Sequence, residues 1–92
     1  MTLDTTIIVP DTIFLQEVDD ETILLDATTE EYFSLNEVAA IFWQVLKDNP
    51  KLTQTYTILK EHFEDAKAFQ LETDLLAFVE ALVEKKLIMI KG

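Results

Sequence analysis

Thr22-Ile-Leu-Leu-Asp26, Ala27-Thr-Thr-Glu-Glu31, Tyr32-Phe-Ser-Leu35 and Asn36-Glu-Val-Ala-Ala-Ile-Phe-Trp-Gln-Val-Leu46 follow one another without a gap. The change of pattern within this stretch decides the fold. Two short apolar runs joined by a polar link read as paired strands. From Asn36 onward the apolar spacing changes: Val38, Ile41, Phe42, Val45 and Leu46 stand at i, i+3, i+4, i+7 and i+8, one face of a helix. Asn36 suits the helix start, because its side chain can accept from a free first-turn amide. Strands therefore give way to helices at residue 36.

Upstream, Thr12-Ile-Phe-Leu-Gln-Glu-Val18 is rich in strand formers and bounded by Pro10 and Asp19-Asp20-Glu21. The acidic triplet suits a hairpin turn, so residues 12–35 are predicted to form a three-stranded antiparallel meander. The third strand is short and is expected at a sheet edge, with unpaired backbone groups. Downstream, Asp48-Asn-Pro50 stops the first helix, predicted over 37–48. Thr53 is the expected cap of a second helix over 53–64, with Leu52, Tyr56, Leu59 and Phe63 as its stripe. A third helix, starting between Asp65 and Phe69 and placed over 68–85, ends at Lys85 and Lys86, which suit the negative end of its dipole. Leu87-Ile-Met-Ile-Lys91 is either a fourth strand or a packed tail. On the third helix Leu71, Leu75, Phe78 and Leu82 centre one face. Val79, Leu76 and Val83 widen it to an arc of about 160°, beyond the ~100° that a small core needs. Either the tail or a neighbouring helix covers the excess, or the shoulder lines a groove.

The 92 residues are read as one α+β domain, 1–92, with 49% hydrophobic content sufficient for one core. The chain has no cysteine, which excludes disulfides, Cys-ligated metal and thiol nucleophiles. Its single glycine is Gly92, so motifs that need an internal glycine are excluded: the P-loop, the dinucleotide fingerprint, the nucleophile elbow and the EF-hand turn. Eighteen acids against seven lysines, with no arginine, give a net charge of −11. That balance opposes binding to nucleic acid and to anionic membranes, which requires clustered bases. No targeting segment or membrane span is read from the sequence, and a cytoplasmic location is expected. One histidine, His62, and one serine, Ser34, assemble no catalytic set. The paired acids Asp19-Asp20, Glu30-Glu31 and Glu64-Asp65 read as solvated turn residues. No enzyme activity, metal or cofactor is expected. What remains is a binding module. The edge of the third strand, Glu31 to Leu35, would accept an extended peptide by backbone pairing, and the apolar arc of the third helix would form a greasy wall beside it.

The chain resembles the PqqD-like family, the small peptide-recognition proteins of ribosomal peptide biosynthesis. The likeness is carried by Leu24-Leu25-Asp26, Tyr32-Phe-Ser-Leu-Asn36, Ala40-Ile-Phe-Trp-Gln-Val-Leu46, and a later helix with Asp74, Phe78 and Leu82. The resemblance implies a winged helix-turn-helix-like fold, three antiparallel strands followed by three helices. It also implies a role: binding the leader of a precursor peptide, with a lasso peptide as first choice, and presenting it to a leader peptidase or modifying enzyme. The site it implies is Glu31, Tyr32, Phe33, Ser34 and Leu35 on the strand, with Leu71, Asp74, Leu75, Leu76, Phe78 and Val79 on the helix. Among the helix residues, Leu76→Glu is expected to abolish binding. Members often carry a glycine in the turn before the aromatic, where this chain has Thr28-Thr-Glu-Glu31, so the register of the third strand stays open. Trp43, off the main stripe of its helix, is read as core. Alternatives are a chaperone of quinone-cofactor maturation, a winged-helix regulator and an acidic DNA mimic. The acids Glu72, Asp74, Glu80 and Glu84 on the third helix oppose the regulator.

Overall fold

In a computed structural model the described residues are 1–65 and 67–91. In chain order the elements are β1 (Ile7–Ile8), β2 (Ile13–Val18), β3 (Glu21–Asp26), β4 (Tyr32–Leu35), α1 (Glu37–Asp48), α2 (Leu52–His62), α3 (Ala68–Glu84) and β5 (Met89–Ile90). The meander is present: β2, β3 and β4 form one antiparallel sheet in that order, so β4 is an edge. Val18 pairs with Glu21, leaving a two-residue turn in which Asp19 and Asp20 have φ of 50° and 67°. Two successive left-handed residues match the right-handed twist of the flanking strands, and aspartate tolerates that region better than most residues.

Register fixes the faces. Leu15, Leu24 and Phe33 share one cross-strand row, and Glu17, Thr22 and Leu35 the next; this face meets the helices. Phe14, Leu25 and Tyr32 form a row on the opposite, outer face, where Phe14 and Tyr32 are exposed. Leu24 and Leu35 join Phe42, Trp43 and Leu46 of α1, Leu59 of α2, and Leu75, Val79 and Leu82 of α3 in one buried cluster. Burying each such side chain stabilises the fold by about 1.5–3 kcal/mol before ordering costs.

Asn36 caps α1 as expected, its Oδ1 accepting the Ala39 N–H at 2.8 Å. The buried face of α1, however, is Phe42, Trp43 and Leu46, while Val38 is exposed. Trp43 belongs to the core, and the stripe is rotated towards it because the wide indole fills more space than Val38 would. α2 begins at Leu52, and Thr53 does not cap it. The reason lies in the N-terminal segment, which the sequence left unassigned. The Leu52 N–H donates to the Thr5 carbonyl, and the Ile7 N–H donates to the Pro50 carbonyl. Backbone pairing across the connector thus takes the place of a side-chain cap. α2 ends at His62 rather than 64, and α3 at Glu84. The window given for the start of α3 includes Ala66, which lies outside the described residues.

The terminal run resolves as a strand after a buried step: Leu87 and Ile88 enter the core, and β5 pairs antiparallel with β1. These residues account for much of the wide arc on α3. Leu75 and Val79 are fully buried in the same cluster as Ile7, Leu87 and Ile88. Of the three residues that widen the arc, Val79 is core, while Leu76 and Val83 are half-buried.

Candidate functional site

Backbone parity at β4 follows from one hydrogen bond outside the strands. The Asp26 N–H donates to the Glu31 carbonyl at 2.9 Å. In an antiparallel pair the bonded positions alternate, so Phe33 and Leu35 also turn their N–H and C=O groups towards β3. Tyr32 and Ser34 turn theirs outward, to the free edge. Side-chain parity runs across this: Phe33 and Leu35 point to the helices, and Tyr32 and Ser34 to the outer face. The register left open by the sequence is thereby settled. A strand laid on this edge meets the backbone of Tyr32 and Ser34. Its own alternate side chains point inward, beside Phe33.

The wall beside that edge is aromatic. Phe33 stands edge-on to Phe78 of α3 with ring centroids 6.2 Å apart. Phe78 is in turn edge-on to Phe42 at 5.9 Å, and Phe42 to Phe63 at 6.0 Å. Each such contact adds about 0.5–1.5 kcal/mol beyond area burial. Phe78 is thus an α3 residue that touches β4, and helical spacing identifies its neighbours. At about 100° per residue, Asp74 lies about 40° from Phe78, Ala81 about 60° and Leu76 about 160°. Asp74 is exposed, and its Oδ1 accepts from the Gln70 amide at 2.7 Å.

The residues read from the sequence therefore separate. Glu31, Tyr32, Phe33, Ser34 and Leu35 form one continuous edge, and Phe78 with Asp74 stands on the side of α3 that faces it. Leu71, Leu75, Phe78 and Val79 are all buried in the core, and Phe78 is the one whose ring meets Phe33. Leu76 is half-buried and lies on the far side of the helix from Phe78. Leu76→Glu, expected from the sequence to abolish binding, therefore tests which side of α3 meets a leader. Ser34 is no nucleophile in this setting: its hydroxyl donates to the Glu21 carboxylate across the outer face. His62 is exposed and lies against the ring of Phe63.

The burial of one acid shows only in three dimensions. Asp26 is a buried acid, 5% exposed. Its Oδ1 accepts the Thr28 N–H at 2.8 Å. That bond above all holds its carboxyl below the usual carboxylate range, against the opposing pull of burial and with help from the Thr12 hydroxyl and from Thr29. A hollow of about 680 Å³ under the hairpin turn is lined by Asp20, Glu21, Thr22, Leu35, Glu37 and Ile41 among others. It brings together carboxylates without a histidine or a nucleophile. Among the described residues no three acidic or histidine side chains come close enough to hold a metal ion, and no helix is long and apolar enough to cross a membrane.

Comparison with known proteins identifies a family and two similar folds. The family model described as Coenzyme PQQ synthesis protein D (PqqD) matches residues 21–88. The solved structure of TbiB1 in complex with the TbiA(beta) leader peptide is 26% identical, with a TM-score of 0.72 over 88% of this chain and 93% of that one. Lasso peptide synthetase B1 complexed with the leader peptide is also 26% identical, with a TM-score of 0.70 over 95% of this chain and 99% of that one. No curated protein matches this chain in sequence.

Proposed function

The chain belongs to the PqqD family, and from that premise we propose that it recognises the leader segment of a ribosomal precursor peptide, that of a lasso peptide in the first instance. The observation that carries this reading is the free edge of β4, with outward backbone groups at Tyr32 and Ser34, beside an aromatic wall formed by Phe33 and Phe78. Main-chain pairing sets the direction and register of an added strand, and pockets for alternate side chains select its sequence. Seating two or three apolar leader side chains contributes about 1.5–3 kcal/mol each, before the cost of ordering the peptide. Two similar chains were solved with a leader peptide bound, which supports the lasso class over quinone-cofactor maturation.

In this reading the protein is not a catalyst. It holds the leader in the cytoplasm so that a leader peptidase or modifying enzyme acts on the remainder of the precursor. The regulator reading needs a basic recognition helix, whereas α3 has no base in its last turn and carries Glu72, Asp74, Glu80 and Glu84. The test is fluorescence anisotropy with the labelled leader of a lasso-type precursor peptide from the same genome. Saturable one-to-one binding of the leader, and none of the segment that becomes the product, is expected. A leader dissociation constant weaker than about 1 mM would refute the reading.

A further inference from the structure

The five residues that join β3 to β4 are Ala27-Thr-Thr-Glu-Glu31, and the regular order of this connection is tied to Asp26. The Asp26 carbonyl accepts the Glu30 N–H at 2.8 Å, and the Asp26 N–H donates to the Glu31 carbonyl at 2.9 Å. Its carboxylate accepts the Thr28 N–H at 2.8 Å. Beside it, the Ala27 N–H donates to the Thr12 carbonyl at 3.0 Å, and the Thr12 hydroxyl helps to hold the Asp26 carboxyl below its usual range. The backbone of residues 26 and 27 thus ties the connection to β2 and closes it, and the buried Asp26 side chain adds a bond to the middle of the turn at Thr28. The fastening works against a local preference. Glu30 has φ of 66°, a left-handed conformation that disfavours a residue with Cβ and that a glycine would take freely.

We propose that Asp26 is a positioning residue for peptide recognition: by anchoring residues 27–31 it holds Glu30 left-handed and delivers β4 in register, with Tyr32 and Ser34 facing the free edge. The proposal rests on the leader-binding reading for its functional consequence, but the anchoring itself is measurable without a leader. A side chain that only filled space would leave β4 as well ordered as the rest of the sheet when truncated. An anchor of the recognition strand would not.

The experiment compares wild type, D26A and D26A/E30G by amide hydrogen exchange, and by anisotropy with the same encoded leader. In D26A the amides of Phe33 and Leu35, which bond to β3, should exchange at least about tenfold faster, while those of Leu46 in α1 and Leu82 in α3 keep their protection. Leader affinity should fall by at least about tenfold. Adding E30G should restore at least about a third of the lost affinity, because glycine takes the left-handed turn without the anchor. Where D26A does not fold, D26N replaces it. Asparagine keeps an acceptor for Thr28 but loses the charge, so the same shifts should appear at about threefold. Unchanged exchange at Phe33 and Leu35, or equal acceleration at Leu46 and Leu82, would overturn the proposal. If wild-type protein binds no leader, the functional reading falls, while the exchange data still decide the anchor.

Discussion

The sheet has two edges, and they differ in what stands beside them. β2 and β4 flank β3 symmetrically, and each leaves a row of backbone groups unpaired within the sheet. On β2, parity turns Ile13, Leu15 and Glu17 outward, because the Ala27 N–H bonds to the Thr12 carbonyl. Leu15 and Glu17 are exposed on the helix-facing side, so a peptide laid there would find little to bury against. β4 carries Phe33 and Leu35 on that side, with Phe78 of α3 against Phe33. An open edge alone is a liability in a folded protein. Backed by an apolar helix, the same edge becomes a place where backbone pairing and side-chain burial act together. The difference predicts that recognition needs the wall as well as the edge.

The sharpest way to break that comparison is to place the same lesion on both edges. Proline is tolerated in an edge strand where its nitrogen faces outward. Ser34→Pro removes an outward N–H from β4 and adds a ring in the path of an incoming strand. It should weaken leader binding by at least about 100-fold, the sum of a lost hydrogen bond and a steric block, near 3 kcal/mol. Glu17→Pro makes the same change on β2 and should leave affinity within about twofold. Equal effects at both positions, measured by anisotropy, would show that the wall does not matter.

A smaller effect sharpens the wall itself. Leu76 is half-buried but faces away from Phe78, so Leu76→Glu should lower stability by about 1–2 kcal/mol in urea titrations while affinity holds within about twofold. Loss of binding in a folded Leu76→Glu protein would move the site to the other side of α3. Smaller again is Glu30→Gly in the otherwise unaltered chain. Relief of the left-handed glutamate should outweigh the added chain entropy and raise stability by about 0.5–1 kcal/mol. A destabilised Glu30→Gly variant would mean that the turn is held by more than its backbone geometry.

The acid side offers a last, modest check. The carboxyl of Asp26 lies below its ordinary range because the Thr28 N–H favours the charged form. Its folded value is thus beneath its unfolded value. Its contribution to stability is complete above the unfolded value near pH 4 and is lost as pH falls through the lower folded value. Stability curves of wild type and D26N should therefore keep a constant separation above about pH 4 and converge as pH falls below it. A separation that stays constant into acid would contradict the bond.

Much of this was legible in the chain. The switch at Asn36 from paired apolar runs to helical spacing gave the meander and the three helices, because period and capping are local properties. The edge position of the third strand followed from its shortness. What was not legible depends on distant pairing. Ile7 and Ile8 form too short a run to read as a strand, and only β5, more than eighty residues later, makes them one. The same strand explains why Thr53 is not a cap. On α3 the width of the apolar arc was plain, but whether it was groove or core depended on Leu87, Ile88 and Ile7 folding back over it. Asp26 appeared in the sequence as a strand end within the Leu24-Leu25-Asp26 segment of the family likeness, but nothing local announces that its carboxylate will be buried beneath the next turn.

The account stands on the free edge of β4, and amide exchange reads that edge directly. In the leader-free protein the Tyr32 and Ser34 amides face outward and should exchange freely, as should those of Leu15 and Glu17 on β2. At saturating leader, Tyr32 and Ser34 should become protected by at least about tenfold while Leu15 and Glu17 do not change. Saturation with leader that leaves Tyr32 and Ser34 exchanging as before would contradict strand addition at β4.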